Sequence, residues 1–371
     1  MSTLLTNSYA VVNIIGVNAQ CDTALVGCTR LLITVTELCI DGVNLCPQNS
    51  VASFTDSNRF WGRASAATQA CRTSTNGGSI WSACTTQPFG VGENSTPEHY
   101  GSASDGSVIA ISTITTGTVG TIRRSIDNGT SWSTVFSEPG ISYSTALPGG
   151  NAEGQLVVCL SDGRCEFVGN MAGGSGRFRV YRSNDNGTSW VAGETSAVTT
   201  GCPSSGTVWN GLIGISPFIG TTACGGGIMR TYSASSDVWS LSAAWGTSPG
   251  DCWGPVIYNG ANNVICNNVT NYTLYSSTGV VISNLILPGS IPTISIGAQA
   301  YSTGTNIMYI VATGTSSKFN VYVSINNLAN FTKIFTTTNT SGSARGGNMY
   351  AANGCIYFSV NPTFPIFGKI C

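Results

Sequence analysis

Apolar and polar residues alternate at a period of two through much of this chain, in short runs separated by turn-forming residues. Phe178, Val180 and Arg182 alternate with Arg179 and Tyr181, the pattern of an extended strand. Just before them, Gln155 to Leu160 ends at Asp162-Gly163, a hairpin signal. Further short strands are predicted at Arg59 to Arg63, Ser107 to Ser112, Thr121 to Ser125, Ile307 to Ala312 and Phe319 to Val323. No segment sustains an apolar period of 3.6, so helix content should be very low and the fold all-β.

Between strands a nine-residue stretch recurs almost unchanged. Arg182-Ser183-Asn184-Asp185-Asn186-Gly187-Thr188-Ser189-Trp190 repeats Arg124-Ser125-Ile126-Asp127-Asn128-Gly129-Thr130-Ser131-Trp132. Both read Ser-x-Asp-x-Gly-x-Ser-Trp. An Asp two residues after the Ser can fold its carboxylate onto N–H groups of its own loop. Two residues on, Gly supplies the positive φ that a tight return needs. The Trp then opens the returning strand and lays its ring over the hairpin.

This pattern resembles the Asp box, or BNR repeat, of sialidase-like β-propellers. Degenerate copies accompany the two intact ones. Ser74, Asn76, Gly78 and Trp81 keep the frame with Asn for Asp, while Ser324, Asn326 and Phe331 lack the Gly. Ser233 to Trp239 and Ser276 to Gly279 are recognisable by position alone. The starts at 74, 125, 183, 233, 276 and 324 give a period near 50, which suits one clip per four-stranded antiparallel blade. A seventh unit is expected from Asn348 to Ala351, Cys355 to Val360 and Pro365 to Cys371. It holds three strands, so an N-terminal strand, Tyr9 to Val17 or Leu31 to Glu37, would complete it and close the ring. The expectation is a β-propeller of seven blades, or six if one weak unit is discounted. Units are expected at about 51–90, 91–138, 139–196, 197–242, 243–288 and 289–337, ahead of the seventh. Residues 1–50 are read as the closing strand with a disulfide-tied extension and 51–371 as the propeller. The extension would either cap the ring edge or attach the protein to other subunits of a particle or filament.

Composition narrows the classes. Charged residues are 8% of the chain, hydrophobic ones 42%, and 46 glycines suit many turns. Such a chain folds rather than staying disordered. With net charge −1 and no basic run, nucleic acid is not an expected partner. No run approaches the roughly 18 apolar residues of a membrane helix. Ala10 to Val17 lacks a preceding Lys or Arg and makes a poor signal peptide, although Val17-Asn18-Ala19 would pass as a cleavage site.

Fourteen cysteines fall into neighbouring pairs: Cys21 and Cys28, Cys39 and Cys46, Cys71 and Cys84, Cys159 and Cys165, Cys202 and Cys224, Cys252 and Cys266, Cys355 and Cys371. There is no Cys-x-x-Cys, and His99 is the only histidine, so no metal site is expected. Sequential disulfides are the reading, although spacing alone does not fix connectivity. They imply an oxidising setting, extracellular, at a cell surface or on a virion; free, buried thiols in an intracellular scaffold propeller are the alternative. Asn94, Asn128, Asn186, Asn268, Asn271, Asn330 and Asn339 begin Asn-x-Ser/Thr triplets. A chain this rich in Asn and Thr produces such triplets by chance, and they assign no glycosylation by themselves.

The resemblance also implies a test for catalysis. Active sialidase-like members hold a carboxylate with three arginines and use a Tyr nucleophile, an assisting Glu and an Asp acid/base. Their first Arg lies in a Phe-Arg-Ile-Pro motif, which this chain lacks, and no Glu follows Glu194. Arg72, Arg123, Arg124, Arg182 and Arg230 precede clips, outside the funnel, which leaves Arg59, Arg63 and Arg345 near it. If the protein were an enzyme, Glu98, Asp105, Glu153 and Arg345 would be the residues to test; Asp56 would be a further acid near the start of the first unit. Asp127 and Asp185 are read as turn residues rather than catalysts. No cofactor is expected.

Binding is the better-supported expectation. Trp61, Tyr100, Trp209, Trp245 and Trp253 lie outside the clips and are candidates for stacking on glycans or a surface receptor. The leading reading is a non-catalytic structural, adhesion or receptor-binding module. A sialidase-like glycoside hydrolase with a non-standard site is the alternative.

Overall fold

The computed structural model describes residues 33–40, 48–56, 58–63, 71–89, 99–111, 120–138, 157–170, 178–195, 209–213, 216–221, 228–233, 238–241, 252–258, 261–267, 272–276, 280–290, 298–302, 307–313, 318–337, 349–352, 354–360 and 366–371. Among them there are strands and turns and no helix.

The first strand, β1 (Val35–Ile40), belongs to the last sheet. Sheet one holds β2 (Gln48–Ala52), β3 (Phe60–Arg63), β4 (Cys71–Ser74) and β5 (Ser82–Ala83). Sheet two holds β6 (His99–Ser102), β7 (Val108–Ile111), β8 (Gly120–Ser125) and β9 (Ser133–Glu138). In sheet three are β10 (Val157–Cys159), β11 (Cys165–Asn170), β12 (Phe178–Ser183) and β13 (Val191–Thr195). Sheet four follows with β14 (Trp209–Ile213), β15 (Ser216–Thr221), β16 (Ile228–Ser233) and β17 (Val238–Leu241). Sheet five is β18 (Cys252–Tyr258), β19 (Ala261–Asn267), β20 (Tyr272–Ser276) and β21 (Val281–Leu285). Sheet six is β22 (Ala298–Ser302), β23 (Met308–Thr313), β24 (Phe319–Ser324) and β25 (Thr332–Thr336).

These six sheets are plain up-and-down meanders, each strand pairing antiparallel with the next in sequence. Sheet seven differs. Its order is β1, then β28 (Ile366–Ile370), β27 (Cys355–Val360) and β26 (Met349–Ala352), so the first and last described strands meet in one sheet. Val35 pairs with Ile370 and Ile40 with Ile366. Beyond that register, Thr34 and Cys371 exchange backbone hydrogen bonds of 2.8 and 2.9 Å. Of the two strands expected to fill this place, Leu31 to Glu37 overlaps β1, and Tyr9 to Val17 lies outside the described residues. Sheets two to six each lie inside one of the units read from the sequence, and β2 begins at Gln48, ahead of the boundary drawn at 50.

Consecutive sheets touch through their first strands: β2 with β6, β6 with β10, β10 with β14, β14 with β18, β18 with β22, and β22 with β26. Sheet seven in turn meets sheet one through β27 and β2. The core therefore lies in the seams between sheets. Trp61, Cys71 and Phe89 of the first sheet and its exit meet Tyr100, Val108 and Ala110 of the second. Ile109 and Ile111, on the opposite face of β7, meet Val157, Cys165 and Tyr181 of the third. Phe319, Val321 and Val323 likewise face sheet seven, while Tyr322 faces sheet five. Phe60 and Trp81 close the last seam against Tyr357 and Phe367. A middle strand is thus buried on both faces, which is why all four residues of β7 have no solvent exposure.

Among the described residues three disulfides are formed. Cys71–Cys84 and Cys159–Cys165 staple sheets one and three within themselves, with Cα separations of 5.4 and 4.0 Å. Cys355–Cys371 ties β27 to the chain end that bonds to Thr34, with a Cα separation of 4.4 Å. Cys252 and Cys266 face each other in register across β18 and β19. The proposed pairs 21/28, 39/46 and 202/224 lie outside the described residues or side chains.

Candidate functional site

The third and fourth strands of four sheets are joined by one kind of turn. In sheet two the Ser125 hydroxyl donates to the Asp127 carboxylate at 2.8 Å and accepts the Gly129 N–H at 2.8 Å. Asp127 in turn accepts the Ser131 N–H at 2.8 Å and the Ser131 hydroxyl at 2.6 Å. Sheet three repeats this with Ser183, Asp185, Gly187 and Ser189, at 2.7, 2.8, 2.9 and 2.6 Å. Ser74 and Asn76 in sheet one, and Ser324 and Asn326 in sheet six, make the same frame with a side-chain amide oxygen as acceptor. One hydroxyl and one carboxylate or amide thus satisfy the orphan donors of a four-residue return.

Two consecutive residues of each turn have positive φ, not the Gly alone. Asn128, Asn186 and Asn327 take φ of 58°, 56° and 57°, in the place occupied by Gly77 in sheet one. Asn tolerates that region better than other side chains. The next position shows why Gly is used. A Cβ on Gly187 would come within 2.6 Å of Ile109 in sheet two, and one on Gly78 within 2.3 Å of Phe367 in sheet seven. In sheet six the same position is Leu328, which holds φ of 67° and sends its side chain into the seam with sheet five. Trp81 and Trp190 lie over their own turns, donating to Gly78 and Gly187 carbonyls at 2.8 and 3.0 Å. Trp132 differs, donating at 3.1 Å to the Thr86 carbonyl of sheet one.

The first hairpins of sheets two and three share a second motif that the sequence reading did not connect. Asp105-Gly106-Ser107 and Asp162-Gly163-Arg164 are equivalent turns, with φ of 86° and 91° at the glycines. Each Asp accepts the N–H two residues on, at 2.9 and 3.1 Å. From sheet two, Arg124 ties this turn to the next sheet, pairing with Asp105 at 2.6 Å and donating to the Asn186 carbonyl at 2.9 Å. Ser104 adds a bond to the Asn186 side chain at 2.7 Å.

Electrostatics follow from these contacts. The Ser131 hydroxyl and N–H, with Ser125, hold the Asp127 carboxyl down to about 2. Partial burial pushes Asp105 and Asp185 upward, but hydrogen bonds from Ser107 and Arg124, and from Ser189 and Ser183, outweigh it and leave both below the usual range. Arg164 lowers Asp162. Glu166 on β11 goes the other way. Burial raises it to about 7, against the opposing pull of Arg182 and Arg164, and its Oε2 has no hydrogen-bond partner among the described residues.

The structure changes the standing of several residues picked from the sequence. Trp61 is wholly buried and Tyr100 is 3% exposed, both in the seam between sheets one and two. Neither offers a ring face to a ligand, because alternation in a strand buried on both sides does not separate core from surface. Asp105, a candidate catalytic carboxylate, is a turn residue held ionised by Ser107 and Arg124. Asp56 caps the β2–β3 turn and pairs with Arg59 at 3.3 Å. Trp209 and Trp253 begin or lie within β14 and β18, with side chains outside the description. Glu98, Glu153, Arg345 and Trp245 lie outside the described residues. Among the described residues no cluster of His, Cys, Asp or Glu could hold a metal ion, and no helix is long and apolar enough to cross a membrane.

One surface stands out that sequence reasoning missed. β21 is the outermost strand of sheet five, and Val280, Val281 and Ile286 on or beside it are 63%, 53% and 80% exposed. Ile282 is exposed as well. The signal was present: residues 252–317 contain no Asp, Glu, Lys, Arg or His. Outer strands are usually protected by charge, and an apolar uncharged one resembles the centre of an interface.

No protein-family model matches the chain, and no curated protein matches it. Solved structures do. YCF48 from Cyanidioschyzon merolae is 14% identical with a TM-score of 0.56, over 90% of this chain and 98% of that one. A structure of YCF48 bound to D1 peptide gives 14% and 0.55, over 91% and 97%. The GH74 xyloglucanase from Xanthomonas campestris gives 11% and 0.59; 89% of this chain is covered but only 52% of that enzyme. At these identities the likeness is one of fold, and the fold these neighbours share is the β-propeller.

Proposed function

We propose that the seven sheets are the blades of one propeller of the Asp-box type, closed by β1 and working outside the reducing cytosol as a non-catalytic structural or adhesion module. Supporting closure are the β1–β28 pairing and the contact of sheet seven with sheet one. Three formed disulfides support an oxidising setting, extracellular or on a cell or virion surface. The observation that carries the non-catalytic reading is the fate of the aspartates. Asp56, Asp105, Asp127, Asp162 and Asp185 each commit the carboxylate to their own hairpin. A glycosidase needs two acids converging on one bond instead.

The binding partner in this reading is a glycan or a surface receptor, engaged through uncharged, apolar surface such as the β21 face. Residues 1–50 are the proposed attachment to other subunits. That a neighbour of this fold was solved bound to a peptide is compatible with a receptor-type partner. The test pairs a glycan and receptor binding screen with a panel of fluorogenic glycosides. Binding without sugar release, weakened by Ile282→Lys or Ile286→Lys, is the expected outcome. Release of the fluorophore that disappears with Glu98→Gln, Asp105→Asn or Glu153→Gln would establish the hydrolase reading in its place.

A further inference from the structure

We propose that Asn128 and Asn330 are acceptors of N-linked glycan and that Asn186, in the same Asn-Gly-Thr triplet as Asn128, is excluded. The sequence cannot separate Asn128 from Asn186, because the flanking residues from Asp to Trp are identical. Their surroundings separate them.

Asn128 stands at the tip of its turn with φ of 58°, exposed, its side-chain amide in no hydrogen bond among the described residues. Asn330, in an Asn-Phe-Thr triplet, is also exposed; only its backbone N–H is used, donating to Asn326 at 3.1 Å. Asn186 is locked from several sides. Its Oδ1 accepts from Ser104 at 2.7 Å, its N–H donates to the Gly163 carbonyl at 2.8 Å, and its own carbonyl accepts from Arg124 at 2.9 Å. The Nδ2 atom that would carry sugar lies 3.2 Å from where a Cβ on Gly163 would sit. It is therefore packed on the β10–β11 turn.

The chemistry is transfer from a polyprenyl-diphosphate-linked oligosaccharide, which the proposal names as the co-substrate. The amide nitrogen bonds to the anomeric carbon, the carbon–oxygen bond to the diphosphate breaks, the amide gives up one proton, and the lipid diphosphate leaves. The triplet supplies the Thr two residues on that such acceptors carry. Sugar on Asn186 would force its side chain off Gly163 and Ser104 and open the seam. Molecules that complete folding would thus carry none there. The inference rests on the extracellular reading given above.

The experiment is secretion of the full chain from eukaryotic cells behind a removable leader, followed by enzymatic deglycosylation in heavy-oxygen water and peptide mapping. Heavy-oxygen aspartate at positions 128 and 330, with unaltered Asn186, is expected. Asn128→Asp and Asn330→Asp should each remove one glycan's mass and leave the melting temperature unchanged. Asn186→Ala should lower the melting temperature without altering glycan mass. A folded product with intact disulfides but bare Asn128, or with sugar on Asn186, overturns the proposal alone. Free thiols in the secreted protein overturn the extracellular reading and the proposal with it.

Discussion

Arg124 of one sheet donates to the backbone carbonyl of Asn186 in the next, 2.9 Å away across the seam, while the same guanidinium pairs with Asp105 at 2.6 Å. The residue just before one turn therefore anchors the turn of its neighbour. Sheets that touch mainly through side chains gain a directional contact at their outer ends.

Removing that anchor should cost more than an ordinary surface ion pair. Arg124 is 14% exposed in its side chain, and Arg124→Ala takes one donor from Asp105 and the nearer donor from the Asn186 carbonyl, leaving each with Ser107. A loss of about 1–3 kcal/mol is expected from the charged hydrogen bonds that are broken. A double-mutant cycle with Asp105→Ala, read by chemical denaturation, should give a coupling of about 0.5–1.5 kcal/mol. Additive effects would show that the pair is ornamental.

The turn position after the Asn is a second test, because two sheets solve it differently. Gly187→Ala puts a Cβ 2.6 Å from Ile109 at φ of 76° and should destabilise by about 2–4 kcal/mol, combining strain with overpacking. Leu328→Gly relieves the backbone but empties a buried site, and a net loss of about 1–3 kcal/mol is expected. If the Leu328→Gly protein melts higher than the parent, the seam contact assigned to Leu328 is wrong.

Glu166 gives a pH signature whose sign is opposite to that of the turn aspartates. Its folded value near 7 exceeds the ordinary value of 4.5, so the folded protein binds the proton more tightly than the unfolded chain. Stability from this group is complete below about 4.5 and is lost as pH rises through about 7. The loss amounts to about 3 kcal/mol. Glu166→Gln should therefore match the parent near pH 5 and exceed it near pH 8. Equal pH slopes for the two proteins, measured by denaturant titration, would contradict this. Asp127 and Asp185 lie below their usual values, so their contribution is present above about 4 and falls away under stronger acid.

The turns were legible because their chemistry is local. Ser125, Asp127 and Gly129 interact within a handful of residues, so spacing alone forecasts the bonds that form. The same holds for the period near 50, since six sheets repeat the same four-strand order. Side-chain fates were not legible where they depend on the next sheet. Trp61 and Tyr100 looked like surface aromatics, but β3 and β6 lie in a seam, where Phe89 at the exit of sheet one packs in the same cluster. Arg124 and Asn186 are 62 residues apart, and no pattern within either segment announces their contact. Glu166 sits opposite Arg182 in register, but its burial is set by packing that its own strand does not announce.

The most direct measurement of the central claim, separate sheets of which one, three and seven are stapled within themselves and the last joins β1 to β28, is a peptide map under non-reducing conditions. The account predicts Cys71 linked to Cys84, Cys159 to Cys165, and Cys355 to Cys371. A bond joining any of these six to a cysteine of another sheet, or their recovery as free thiols from protein purified without reductant, would contradict it.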